Sequence, residues 1–245
     1  MIPRSSRETR LPKALQDYKR EIEAYCGFEL PICYEPTLAD RGTLTHDPMA
    51  AVVKTQTWPP TSAVIAHELC HAYRYFNCGV PFMMFEPTLF INRGGVNERA
   101  DFHLDNMLEH LYVLGYMQER FGFPPDPTHI GRDYEMALSR SGEALQRKSV
   151  LLCNWLLANY HFPQWVPEYA KLLNRDQLTQ TAEVLLQEVR AAGPSKPMVV
   201  AALVRALGID FDRVQLRRRS VQKRCDEGAP LIAWLAAESD CPPAS

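Results

Sequence analysis

Apolar residues recur at helical spacing early in the chain. Leu11, Leu15, Tyr18, Ile22 and Tyr25 share one face, and Gly27 marks where that face ends. The stretch ELPICYEPT then reads as extended, and LADRGTLTHDP as rich in turn formers. AAVVKTQTW combines β-branched residues with alternation and predicts a strand, stopped by Pro59 and Pro60. The same prolines suit a helix start, so a second helix is expected from about Thr61 to Asn77. A Gly-Pro-aromatic loop, NCGVPFMMFEPTLFINRGG, leads to a long periodic segment, VNERADFHLDNMLEHLYVLGYMQER, expected as one helix opened by Glu98. Beyond Arg132 the pattern is almost wholly helical. Segments are expected near Asp133 to Tyr160, Pro167 to Ala192, Lys196 to Leu207 and Phe211 to Lys223, joined at HFPQWVP, AAGPSKP and DEGAP.

Inside the second helix stands AVIAHELCHAYRYF, with His67, Glu68 and His71 in the order H-E-x-x-H. Residues four apart lie one turn above each other on a helix, so the two imidazoles converge on one point. Glu68 projects about 100° further round, where it does not join them as a ligand but reaches a water bound to the metal. Chance yields this pattern in on the order of one chain in a hundred of this length. Val64, Ile65, Ala66, Leu69 and Ala72 make the surroundings apolar, and two histidines and a glutamate buried there are costly without a partner. A zinc site follows, with Glu68 as general base.

Composition narrows the setting. With 245 residues, 46% of them apolar, the chain is long enough for one large or two small domains with a sizeable core. A net charge of −2 provides no global field toward nucleic acid or anionic membranes. No apolar run approaches a membrane span, and MIPRSSRETRLPK lacks the apolar centre of a signal peptide, so the reading is cytoplasmic. Seven scattered cysteines, Cys26, Cys33, Cys70, Cys78, Cys153, Cys225 and Cys241, never in C-x-x-C spacing, argue against a disulfide framework or a thiolate zinc site. Cys70 points away from His71 and reads as packing.

A catalytic zinc site needs a third protein ligand beside its water. NERAD at the start of the long helix resembles the second motif of gluzincins, in which a glutamate supplies that ligand. Among them the pattern is most similar to the ImmA/IrrE-type cytoplasmic metallopeptidases, where H-E-x-x-H is followed by a helix with E-x-x-A-N/D. The register differs by one, since Ala100 and Asp101 stand two and three residues after Glu98 rather than three and four. On the helical wheel the apolar stripe is Ala100, Leu104, Met107, Leu108 and Leu111; Glu98 lies off its centre and Asp101 at its edge. Glu98 is preferred for its longer reach. Asp101 is its competitor, with Asp105 one turn on as the carboxylate that orients a histidine. His103 and His110 share a third face and either could complete an all-histidine site, although exposed polar histidines are the simpler reading there. Glu109 and Glu119 read as solvated helix charges. His46, His129 and His161 read as isolated loop histidines, one of which could steady an oxyanion; Tyr134 and Tyr160 are no better placed.

The fold expectation is an α+β chain. A zincin-like metal domain, a small sheet plus active-site helices over residues 1–125, precedes a mainly α-helical region over 126–245, packed on the first or forming a separate module. The resemblance implies that the predicted strand before the metal helix offers an exposed edge to an extended peptide. The expected function is zinc-dependent peptide-bond hydrolysis, with His67, His71 and Glu98 holding Zn2+ and a peptide or protein as substrate. Two other readings stand beside it. One is a regulatory protease coupled to a DNA- or repressor-binding module, carried by two helices joined at LGID and by the basic residues Arg213, Arg217, Arg218, Arg219, Lys223 and Arg224. A solvated or salt-bridged basic helix explains the same residues. The other is a catalytically silent, metal-stabilised scaffold, suggested by the shifted second motif.

Overall fold

The computed structural model of the chain describes residues 11–38, 42–57, 59–93, 96–138 and 144–239, the side chains of residues 91–98 and 239 excepted. Residues 1–10 and Cys241 therefore lie outside it. The chain is α+β, and its contacts gather it into two units. The first unit holds residues up to Val80 with Tyr116–Pro124 and Arg218–Glu227; the second holds Pro81–Gly115, Pro125–Arg217 and the residues from Gly228 on.

In the first unit, helix α1 (Lys13–Cys26) buries Leu15, Tyr18 and Ile22 and stops at Gly27, whose φ of 73° suits a left-handed cap. Strands β1 (Ile32–Tyr34), β2 (Gly42–His46) and β3 (Ala51–Thr55) form one sheet in the order β1-β3-β2. β1 runs parallel to β3, and β2 runs antiparallel to it. The segment expected as turns thus contains a strand. Its turn is confined to four residues, where the Asp47 carboxylate accepts the N–H groups of Met49 and Ala50 and sends the chain back as β3. β3, expected to offer a free edge, is the middle strand; the outer positions belong to β1 and β2.

Helix α2 (Ser62–Phe76) has the expected bounds, because the Thr61 hydroxyl accepts the Val64 N–H at 3.3 Å and caps it. Ile65, Ala66, Leu69, Cys70, Ala72, Tyr75 and Phe76 are its buried apolar side chains. Tyr116 stacks on Tyr73 with ring centroids 6.0 Å apart, and Tyr18 packs against both.

The second unit is mostly helical. Strands β4 (Phe82–Phe85), β5 (Phe90–Arg93) and β6 (Val96–Arg99) occupy the segment read as a Gly-Pro loop and the first residues of the expected helix. Helix α3 (Ala100–Phe121) therefore starts two residues after Glu98, which sits on β6 opposite Ile91. Helices α4 (Thr128–Leu138), α5 (Ala144–His161), α6 (Val166–Arg175), α7 (Thr179–Ala192) and α8 (Lys196–Leu207) follow. α5 is buried on nearly every side from Ser149 to Ala158. Next come β7 (Val214–Ser220), β8 (Cys225–Pro230) and α9 (Leu231–Ser239). The helix expected over Phe211 to Lys223 is thus a strand. Val214 and Leu216 alternate inward, and Val214 to Arg217 pair antiparallel with β4. No described helix is long and apolar enough to cross a membrane.

α3 carries carboxylates on a face that packing covers. Glu109, expected to be solvated, is 0% exposed, and Lys196 at the start of α8 is 2% exposed. The lysine ammonium meets Glu109 Oε1 at 2.6 Å and Asp105 Oδ1 at 2.9 Å. Burial works against its charge, but the two carboxylates outweigh burial and hold its pKa above the ordinary lysine value. Lys196→Met should cost about 3–5 kcal/mol of unfolding free energy in urea titrations, because it strands two buried carboxylates. Adding Asp105→Asn and Glu109→Gln should recover part of the loss. An unchanged midpoint for Lys196→Met would refute this account.

Candidate metal centre

α2 presents His67 and His71 one turn apart, as the spacing requires, and their Nε2 atoms are 3.2 Å apart. Two nitrogens each about 2.05 Å from a tetrahedral zinc stand about 3.3 Å apart, so the pair has the bite of a chelate. The same separation also suits one proton shared between the rings. His71 is 3% exposed and Glu68 6%, so both polar groups have left water and need compensation.

β2 crosses α2 at Glu68. A Cβ on Gly42 would come within 2.6 Å of Val64 Cγ1 and 3.0 Å of Glu68 Oε1, so a side chain at this position forces a shift. Only glycine lets the strand backbone pass this close to the carboxylate. An outer strand of the sheet thereby lies directly against the residue expected to act as base.

His67, His71 and His110 form a group that could hold a metal ion: one ring nitrogen from each lies within 4.8 Å of the others. His110 comes from α3 and is half-buried rather than exposed. All three donors are imidazole nitrogens, a set that suits zinc. In the sequence His110 stood only as an alternative, because it falls off the apolar stripe of its helix.

The preferred carboxylates fare differently. Glu98 is on β6, and its side chain lies outside the described residues. Asp101 is buried and committed elsewhere. Its Oδ2 accepts the Phe85 N–H at 3.0 Å and Arg99 Nη2 at 2.5 Å, while Oδ1 accepts Arg99 Nε at 3.1 Å and the Phe102 N–H at 2.9 Å. A metal would have to displace a guanidinium and two backbone donors to use it. Asp105, expected to orient a histidine, accepts the Met83 N–H at 2.9 Å as well as Lys196. His103 is buried, not exposed. Glu119 is exposed, as expected.

None of the three histidines read as isolated is a free surface group. His46 ends β2, stacks on Tyr75 with centroids 4.7 Å apart, and accepts Arg219 Nε at 3.0 Å. Arg219 in turn grips Asp226. His161 Nε2 lies 3.0 Å from the Leu111 carbonyl. His129 packs 5.8 Å from the His110 ring. Tyr134 donates to Glu168, and Tyr160 is partly exposed.

The basic cluster is largely paired. Arg217 meets Glu86 at 3.0 Å, Arg218 meets Glu227 at 2.9 Å, and Lys223 also bonds Glu227. With β7 a strand, the second helix of the expected helix-turn-helix is absent. The described cysteines are all free thiols. Comparison with protein-family models, curated proteins and solved structures gives no match for this chain.

Burial, reinforced by the Arg219 charge, pushes the His46 pKa down to about 3 from 6.5. A depressed folded pKa means the unfolded chain binds the proton first, so this group's stabilisation is complete above pH 6.5 and drains away as pH falls toward 3. His46→Gln should flatten that part of the stability–pH curve of the metal-free protein, measured by urea unfolding at each pH. A wild-type slope in the variant would remove His46 from the account.

Proposed function

We propose that the protein is a zinc-dependent peptidase whose metal is held by His67, His71 and His110, with Glu68 as the general base. The observation that carries this reading is the convergence of three imidazoles beside a buried carboxylate. A zinc ion among three histidines supplies Lewis acidity at an open position and lowers the pKa of water there to about 7. The remaining work falls to the chain. Glu68, projecting from the same turn of α2 as the histidines, takes a proton from the attacking water and returns it to the leaving amine. The low exposure of Glu68 favours the first of these roles, since a carboxylate withdrawn from water takes up a proton more readily than a hydrated one does. The outer strand β2 runs against Glu68 at Gly42, and its outer edge, unpaired among the described strands, suits an extended peptide that pairs by main-chain hydrogen bonds.

Glu98, the third ligand preferred from the sequence and implied by the resemblance to gluzincins, stands as the alternative to His110. The silent-scaffold reading predicts the same metal content without turnover, and so it too is settled by experiment. The paired arginines around β7 and the missing second helix weigh against a nucleic-acid role.

Purified protein should carry about one zinc per chain by elemental analysis. His67→Ala, His71→Ala and His110→Ala should each empty the site, while Glu98→Ala keeps it filled. Zinc retained in His110→Ala and lost in Glu98→Ala would replace the three-histidine set with the gluzincin one.

Glu68→Gln should keep its zinc and lose at least about a hundredfold in hydrolysis of any peptide the wild type cleaves. Equal rates would rule out the mechanism. Zinc in the wild type without cleavage of an unbiased peptide library would leave the scaffold reading.

A further inference from the structure

His129 stands in the first turn of α4, and its ring is held on two sides. Asp126 fixes the approach to the helix by accepting the Thr128 N–H at 2.9 Å and the Thr128 hydroxyl at 2.5 Å. The backbone carbonyl of Asp126 also accepts a hydrogen bond from the His129 ring. The other ring nitrogen, Nε2, is fully buried and has no hydrogen-bond partner among the described residues. The bond to Asp126 must therefore be made by Nδ1–H, and in the neutral ring Nε2 carries a lone pair. Phe162 meets the ring edge-on at 78°, with centroids 5.8 Å apart. On its remaining side the ring faces His110, with centroids 5.8 Å apart and planes at 55°.

A buried acceptor with nothing to accept is costly and calls for a reason. A histidine that binds a metal through one nitrogen carries its proton on the other, and that N–H needs an acceptor to fix the tautomer and the ring's aim. We propose that His129 is the positioning residue of the metal centre: its Nε2 accepts, directly or through one water, the N–H of His110 when His110 binds metal. This inference rests on the three-histidine reading. It adds a neutral imidazole in the place where a carboxylate or carbonyl commonly stands, which leaves the site without an additional negative charge from this partner. It also gives α4 a part in the metal centre, since the Asp126–Thr128 turn sets the aim of the His129 ring.

The test compares His129→Phe, which keeps the packing against Phe162 and removes the lone pair, with His129→Gln, whose amide oxygen restores an acceptor. Zinc affinity is read by chelator competition at fixed pH, beside urea unfolding of the zinc-free proteins. His129→Phe should bind zinc about 10- to 100-fold more weakly, with zinc-free stability close to wild type, and His129→Gln should recover most of the affinity. Wild-type affinity in His129→Phe, with zinc lost in His110→Ala, overturns the positioning role and leaves the three-histidine site standing. Wild-type zinc in His110→Ala overturns both. Where His129→Phe does not fold, nitrogen-15 spectra of the wild-type imidazoles decide instead. Added zinc should leave the His129 proton on Nδ1 and move its Nε2 resonance toward a hydrogen-bonded position, a shift missing in His110→Ala; an unmoved Nε2 resonance overturns the proposal.

Discussion

Two aspartates on α3 do for β4 what a neighbouring strand would do. Asp105 accepts the N–H of Met83 and Asp101 that of Phe85, at 2.9 and 3.0 Å. The match is geometric: four residues of helix advance about 6.0 Å and two residues of strand about 6.6 Å, so carboxylates one turn apart meet alternate backbone donors. The opposite edge of β4 pairs with β7. One edge is thereby satisfied by main chain and the other by side chains, and the strand offers no open row of donors there. The arrangement obliges α3 to carry charges on a buried face, and much else follows from having to neutralise them.

Arg99 bridges to Asp101 in two bonds immediately before the helix begins, and Lys196 closes over Asp105 and Glu109 from α8. A segment distant in sequence thus completes the charge balance of α3. The helical part of the chain is not an appendage to the helix that carries His110, because removing its lysine leaves two carboxylates buried without their cation. Tyr112 adds a further tie between the same regions through the Gly193 carbonyl at 2.9 Å.

These features decide what could be seen from sequence. α2 was legible to the residue, since prolines, a Thr cap and an H-E-x-x-H pattern all act locally. α1 and its Gly27 stop were legible for the same reason. The stripe Ala100, Leu104, Met107, Leu108 and Leu111 is buried as read, but it is not the only buried face of α3. A wheel sorts residues by polarity, and it places Glu109 and His110 in solvent when a lysine 87 residues away in sequence has covered the one. Short strands were the other blind spot. β2, β4, β5 and β6 have four or five residues each, in stretches rich in Gly and Pro, too short for alternation to stand out from loop. β7 was missed because its arginines suggest a solvated helix; what makes it a strand is pairing with β4, a partner more than a hundred residues earlier.

The candidate centre follows the same logic of compensation. His67 and His71 stand close enough that their facing nitrogens cannot both present lone pairs without repulsion; either a proton or a metal must lie between them. A proton satisfies the pair alone. A metal also satisfies a third imidazole, and so makes use of the group that includes His110. Because the ligands must be neutral to bind, metal competes with protons and its hold weakens as pH falls through the imidazole range. With zinc at a thousand times its dissociation constant the folded state would gain about 4 kcal/mol, as large as the cost of stranding a buried ion pair. Metal occupancy would then count among the main terms of this chain's stability.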